Sequence, residues 1–487
     1  MIKLRTNRYL TAIGVCFMVA LELVSCKVPA IVQPAERRPE PKAYDSGFSN
    51  TAIGDTGSAA SIDWRSFFKD KTLVDLIDTA IKNNQELNIT LQELDIARNE
   101  IRLRKGAILP TVGLRGGIGV EKVGRYTSQG AGDASTEIYP GKEVPDPLMD
   151  YTVAAYANWE VDIWKKLRNA KKAAVTRYLS TVEGKNFVMT DLVAEVANSY
   201  YELVALDNQL AIVGQNINLQ KNALSVVQIQ KDASRATELA VQKFQAEVYK
   251  SESLQFNIHQ QIKETENRIN LLLGRYPQPI PRDTSNFIQM VPAVVNAGIP
   301  SQLLANRPDI KRAELELTAA KLDLKVARAE FYPSFGISAA IGFQAFNPSY
   351  LVKLPGSLLY SLVGDLAGPL INRNAIKAEF YSANARQLQA MYNYERTIIN
   401  AYLEVSTQLA GISNLAKSYD FKSKQVSSLT QSIEIANNLF QFARADYLEV
   451  LMTQRDALEA KLELVETKKQ QLNAVVNIYR DLGGGWK

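Results

Sequence analysis

Histidine and cysteine are almost missing from this chain. His259 is the only histidine among 487 residues, and Cys16 and Cys26 are the only cysteines. A Ser-His-Asp triad or a His-rich metal centre would have to be built around His259. Its surroundings, "FNIHQQIKE", read as the polar side of a helix. Two cysteines near the start exclude a disulfide framework and a cysteine metal site in the rest of the chain. An excess of one charge is also lacking: 56 Lys and Arg face 51 Asp and Glu, a net of +5. No basic stripe is interleaved with aromatics, so nucleic acid is not an expected partner. Proline is absent between Pro147 and Pro277 and again after Pro369.

Those proline-free stretches carry apolar residues at mixed spacings of three and four. Met189, Val193, Val196, Tyr200 and Leu203 form one seam. Leu458, Leu462, Val465, Leu472, Val476 and Tyr479 form another, interrupted by Lys469. This is coiled-coil-like packing. A helix from Asp162 to Ser234 would be roughly 110 Å long at ~1.5 Å per residue. Lys, Gln, Asn and Glu recur along it, which excludes a membrane-spanning helix and suits one that bridges a distance in water.

Residues 1–25 read as a signal peptide: Lys3, Arg5 and Arg8 precede an apolar run. It leads into Leu23-Val24-Ser25-Cys26, which resembles a bacterial lipobox, with Glu22 as a departure. Cleavage before Cys26 and acylation of that cysteine are expected; ordinary cleavage near Ala30 is the alternative. Beyond that lipid no cofactor and no metal is expected. Residues 26–60 form an extended, proline-containing tether. Order is expected to begin near "DWRSFFKDKTLVDLIDTAI", where Trp64, Phe67, Leu73, Leu76 and Ile77 share a helical face.

The chain is written twice. Pro110, Gly113, Ile118 and Gly119 align on Pro333, Gly336, Ile341 and Gly342, and upstream Asn83, Leu87 and Ala97 align on Asn306, Ile310 and Ala320. Later, at a slightly smaller offset, Leu239 and Val241 align on Leu448 and Val450, and Leu273-Gly274 on Leu482-Gly483. The repeats are placed at 61–282 and 283–487. Each predicts a helix, a strand, a loop, a second strand and a long helical region. Strands are expected near 111–120, 151–161, 334–343 and 357–367. In "YPSFGISAAIG" (332–342) Phe335, Ile337, Ala339 and Ile341 alternate with small residues. Tyr151, Val153, Ala155, Ala157, Trp159 and Val161 share a face of the second strand; Leu358, Tyr360, Leu362 and Leu366 share one of the fourth.

Alternation alone fits either a soluble sheet packed on helices or staves of an outer-membrane barrel. Four strands cannot close a barrel, and an open edge in lipid leaves backbone groups unpaired. A membrane reading therefore requires several copies.

Several further stretches carry a resemblance: "NRPDI" at 306–310 followed by Glu314, "YPSFG", "YLEVLMTQR" at 447–455, "LGGGW" at 482–486, "NSYYEL" and "WKKLRNA". Over nearly the whole mature length the chain resembles the TolC-like outer-membrane efflux family, and more closely its lipoprotein branch, the OprM/NodT-type factors of RND systems. That family often has Gly where Lys165 stands. The resemblance implies a mainly α fold with a small transmembrane β part: a homotrimer with a 12-stranded β-barrel and a long periplasmic α-helical barrel. Loops 120–150 and 344–356 would face outside. An equatorial region would form near the termini and near 275–305, where Pro277, Pro279, Pro281 and Pro292 break helix.

What it implies about function is a conduit, not an enzyme: the exit duct of a tripartite pump, in the outer membrane, lipid-anchored and reaching into the periplasm. Its partners would be a periplasmic membrane-fusion adaptor and an inner-membrane RND pump, and its cargo small toxic compounds. The alternative within the class is the outer-membrane channel of a type I (ABC) protein secretion system; outside it stand a pore-less coiled-coil lipoprotein and an envelope enzyme. Family gates lie at the periplasmic helix-to-helix turns, here near 231–239 and 442–450, which makes Asp446, Arg444 and Tyr447 gate candidates. Solvated turn residues are the plainer reading of those three. Arg307, Pro308 and Asp309 read as structural, with Pro308 in a first helical turn and Asp309 at a helix N-terminus. "LGGGW" lacks the Lys-Ser/Thr of a phosphate loop.

Overall fold

The computed structural model describes residues 28–32, 41, 44, 58–284, 287–290, 292, 296–368, 373–442 and 444–487. The expected signal peptide, Cys26 and most of the tether lie outside these residues.

The first long element after a short helix at Trp64–Phe67 is α1 (Lys71–Asn83). Its start is fixed by Asp70, whose carboxylate accepts the backbone N–H of Thr72 at 2.8 Å. Leu73, Leu76, Ile77 and Ala80, at helical spacing, are buried. Then follow α2 (Gln85–Gly106), β1 (Thr111–Glu121), β2 (Leu148–Val161), α3 (Lys166–Asp232) and α4 (Glu238–Leu272). The second repeat repeats the order: α5 (Pro308–Ala329), β3 (Ser334–Ala345), β4 (Leu358–Ala367), α6 (Asn374–Gln441) and α7 (Tyr447–Asp481). Paired helices match closely in length: α2 and α5 have 22 residues each, α3 and α6 have 67 and 68, and α4 and α7 have 35 each. No helix among the described residues is long and apolar enough to cross a membrane.

The repeats end alike. Leu273-Gly274 and Leu482-Gly483 close α4 and α7 with the same paired bonds. Gly274 N–H donates to Leu271 O at 3.0 Å and Arg275 N–H to Asn270 O at 3.0 Å; Gly483 N–H donates to Arg480 O at 2.8 Å and Gly484 N–H to Tyr479 O at 2.9 Å. This double bond pattern with a left-handed residue is the Schellman cap, and Gly274 and Gly483 have φ of 64° and 91°. "LGGGW" is thus a helix ending.

The strands form one antiparallel sheet in the order β1-β2-β3-β4. The segment before β2 holds more structure than a loop: a helix at Ser128–Asp133 and a two-stranded ribbon, Glu137–Tyr139 with Lys142–Glu143. Thr127 caps the helix, its hydroxyl accepting Gly130 N–H at 3.1 Å, and Pro140-Gly141 supplies the ribbon's tight turn. β2 accordingly begins at Leu148, three residues before the expected start.

The chain divides into two compact units that cut across the repeats. One holds 96–178 and 315–391, including the sheet; the other holds 36–95, 179–314 and 392–487. In the second, Trp64, Leu73, Val196, Tyr200, Ile269 and Tyr479 belong to one buried cluster. Tyr200 and Tyr479 also reach polar partners, Asp70 Oδ2 and Ile62 O, each at 2.6 Å.

Candidate functional site: an open apolar sheet and two helical turns

The strand register decides where each side chain of the sheet goes. Leu114 pairs with Ala155, Ala155 with Ile341, and Ile341 with Tyr360. Side chains alternate faces along a strand, so the four expected apolar faces fuse into one. Leu114, Ile118, Val153, Ile341, Tyr360 and Leu362 all lie on it and all are exposed, Leu114 at 86% and Leu362 at 78%. An exposed apolar patch this continuous marks an interaction surface. Trp159 sits on the same face and donates its indole N–H to Ile108 O at 3.0 Å.

The opposite face is mostly small and polar, with Tyr156, Leu359 and Val363 as exceptions. It carries Arg115, Asp150, Thr152, Asn158, Ser338, Gln344 and Asp365. Gln344 donates to Asp150 at 2.9 Å, and Lys166 pairs with Glu160 at 2.6 Å. Its small residues are needed for space: a β-carbon on Gly113 would meet the Tyr156 ring at 2.6 Å. β1 and β4 each have one strand neighbour among the described residues. The sheet therefore has two open edges beside an apolar face, a combination stable in lipid only if other strands satisfy those edges.

The two turns that follow α3 and α6 are built differently on the same backbone. In the first, Arg235 N–H donates to Gln230 O at 2.8 Å; in the second, Arg444 N–H donates to Leu439 O at 2.8 Å. Thr237 caps α4, accepting Ala240 N–H at 3.3 Å. Lys231 pairs with Glu238 at 2.5 Å, and Gln242 donates to the same carboxylate at 2.7 Å. Those two bonds, Gln242 first, hold the Glu238 carboxyl below its usual range. The second turn lacks this dressing. Asp446 is the N-cap of α7 yet makes no side-chain cap bond. Arg444 and Asp446 are exposed, and neither side chain bonds to a described residue. Tyr447 differs: it is half-buried against Val227, Ala240, Val241 and Phe244 of the first repeat. Of the three gate candidates, two point away unpartnered and one is tied into apolar packing.

"NRPDI" is a structural latch. Pro308 opens α5 and Asp309 sits in its first turn. Buried Arg307 forks onto Asp309 at 3.0 and 2.6 Å, and donates to Glu404 and to Asp481 O, each at 2.8 Å. Burial pulls its pKa down, but Asp309 and Glu404 outweigh burial and raise it. Sequence reasoning missed the counterpart in the first repeat, Asn84. Asn84 donates to Leu272 O at 3.0 Å and accepts Leu87 N–H at 2.9 Å. Leu272 and Asp481 are equivalent positions, so each repeat fastens its last helix to the start of its first-strand helix. The alignment of Asn83 on Asn306 held the signal. His259 lies exposed on α4.

The outer membrane efflux protein family matches residues 76–275 and 299–484. The chain is 27% identical to the cation efflux system protein CusC of Escherichia coli O6:H1 over 97% of this chain and 98% of the relative. It is 28% identical to the outer membrane protein OprJ of Pseudomonas aeruginosa over 98% of this chain and 96% of the relative. A solved membrane protein from Pseudomonas aeruginosa shares the fold, with a TM-score of 0.81 at 24% identity, covering 93% of this chain and all of that one. An exposed apolar sheet with open edges, joined to duplicated long helices and matched over most of its length, places this chain in the outer membrane efflux protein family.

Proposed function

We propose that the chain is the outer-membrane exit duct of a tripartite efflux pump, passing small toxic compounds outward from an inner-membrane RND pump and a periplasmic adaptor. The observation that carries this reading is the single exposed apolar face shared by all four strands. Three copies of the sheet close a 12-stranded barrel by pairing β4 of one copy with β1 of the next. That removes both edges, leaves the apolar face to lipid and turns the polar face to the lumen. The names of its relatives, which include a cation efflux protein, support efflux as the class. Lipid on Cys26 anchors the same chain to the membrane. The duct does no covalent chemistry; the pump supplies energy.

The unpartnered Arg444 and Asp446 support a gate at the second turn. Three copies bring three such turns together, where ring charges and bonds between neighbours narrow the passage. Tyr447 holds the turn against the first repeat.

The test is mild in-cell crosslinking of the tagged full chain, then native mass spectrometry. A trimer with an adaptor and an RND pump is expected. A trimer with an ABC exporter moves the reading to protein secretion, and a monomer with neither overturns it. For the gate, Asp446→Ala is expected to raise single-channel conductance; an unchanged trace removes Asp446 from it.

A further inference from the structure

The two ends of the sheet differ in charge. Residues 98–110 and 160–177, which flank β1 and β2 on the helix side, hold ten Lys and Arg against three Asp and Glu. The other end, residues 121–150, holds three against six. The second repeat shares the excess only weakly: 321–333 and 369–386 hold six against three. A solvated helix pair has no need of such asymmetry.

Part of the positive charge is internally matched. Arg104 pairs with Glu100 at 2.7 Å, Lys166 with Glu160 at 2.6 Å, and Arg168 reaches Asp162 at 3.8 Å; Arg177 pairs with Asp323. Lys105, Lys165, Lys171 and Lys172 have no side-chain partner among the described residues, and Arg102 bonds only to the neutral Asn99, at 3.2 Å. Arg98 lies 5.9 Å over the Tyr178 ring, which sets α2 beside α3. From Arg98 to Lys105 is about 10 Å along the helix at ~1.5 Å per residue, so these cations sit at the foot of the sheet.

Apolar and aromatic groups are mixed among them. Leu103, Leu109, Ile163 and Trp164 are exposed. Trp164 stacks on Tyr332 at 4.7 Å and donates its N–H to Pro333 O at 2.8 Å. Satisfied indoles beside lysines, next to an exposed apolar sheet, are what a membrane–water boundary selects.

Lys165 adds an independent observation. Its φ is 60°, a left-handed backbone that glycine adopts freely and a side chain does not. A lysine kept in a strained place points to use of its charge.

We propose that this rim binds the headgroups of anionic glycerophospholipids in the leaflet beside the helices, chiefly through Lys105, Lys165, Lys171 and Lys172. This rests on the sheet's being the membrane-spanning part. Phosphate is the complement of unpaired lysine ammonium groups, and the exposed side chains between them suit acyl chains. The second repeat's helix side has exposed cations too, among them Lys321 and Lys325, but a smaller net excess, so the first repeat's rim is the principal site.

The experiment uses the full-length protein in mild detergent, incubated with equal phosphatidylglycerol and phosphatidylethanolamine, with retained lipid counted by native mass spectrometry. Wild type is expected to retain phosphatidylglycerol in excess. The fourfold variant K105Q/K165Q/K171Q/K172Q is expected to lose that preference at least about tenfold. K165G alone is expected to lose on the order of fivefold while its unfolding midpoint rises. Equal retention of both lipids by wild type, or an unchanged preference in the fourfold variant, overturns the proposal. So does a fourfold variant that falls apart into monomers, which would make these lysines a contact between copies. Conductance in planar bilayers is measured on the same samples. Channels without lipid preference sink this inference alone; failure to insert sinks the channel reading with it.

Discussion

The two repeats share a backbone plan and differ in how they fasten it. Asn84 holds the end of α4 with one amide, whereas Arg307, at the equivalent place, holds the end of α7 with a buried guanidinium and two carboxylates. The turn after α3 is capped and ion-paired, and the turn after α6 is bare. The helix-side rim is strongly basic in the first repeat and mildly so in the second. Duplication fixes a fold; afterwards each copy is free to specialise. The second repeat ties the end of its last helix tightly and leaves its turn open. The first ties its turn and loads its rim with charge. The proposed gate at the second turn would use this division.

The latch gives the largest expected difference. Arg307→Ala strands Asp309 and the Asp481 carbonyl, and breaking such a buried pair costs about 3–5 kcal/mol. Glu404 adds less, because its side chain is 45% exposed. Asn84→Ala removes a cap and one buried bond, about 1–2 kcal/mol. Thermal midpoints of the two detergent-solubilised variants should separate in that order. Equal losses would mean that the two latches do the same work.

The glycine caps are expected to remove the difference instead. A β-carbon on Gly274 would lie 2.4 Å from Asn83 O, and one on Gly483 2.6 Å from Asn306 O. Both have left-handed backbones, so alanine costs at least ~1–2 kcal/mol at either site from conformation alone. Gly274→Ala and Gly483→Ala should lower the midpoint alike. A large gap between them would show that one repeat relaxes where the other cannot.

At the turns the effects are smaller and local. Thr237→Ala should cost about 1 kcal/mol through its lost cap. Asp446→Ala, which loses no bond within the chain, should stay within about 0.5 kcal/mol. Hydrogen exchange of the N-terminal amides of α4 and α7 reads each separately. Equal effects at both turns would mean that Asp446 does cap in solution.

Much of this was legible in the sequence because it rests on period and spacing. The four strands, the apolar side of each and the duplication follow from alternation and from matched Pro, Gly and Asn positions; that the four sides form one face took the strand register. The ribbon at Glu137–Tyr139 and Lys142–Glu143 is too short to show an alternating pattern, so only the structure separates it from plain loop. The latch was hidden for another reason. Arg307 was visible as structural, but its partners Glu404 and Asp481 are remote in the chain. Asn84 for Arg307 is a chemical change at a conserved geometry, which alignment by residue type conceals. Lys165 stands in the sequence as a departure from the glycine of the resembled family; its left-handed backbone is one that glycine adopts freely.

The last contrast is electrostatic and small. Asp191 aligns on Asn400, a neutral residue of the same shape. Burial, opposed by Arg480 and Arg307 and reinforced by Asp309 and Asp481, raises the Asp191 carboxyl from 3.8 to about 6. Arg480 is the largest opposing charge, but it lies 4.0 Å away and bonds Asp481 at 2.9 Å, so burial prevails. A folded pKa above the unfolded value means that the folded state binds the proton more tightly. Stability from this group is therefore full below pH 3.8 and is lost as pH rises through about 6. The Asp191 side chain is 44% exposed, so water screens the effect, which should stay below about 1 kcal/mol. Asp191→Asn, which installs the second repeat's residue, should raise the midpoint at pH 7.5 and leave it nearly unchanged at pH 4. A midpoint that falls at pH 7.5 would show that the ionised carboxylate is held by Arg480 after all, and that the first repeat has its own charged latch.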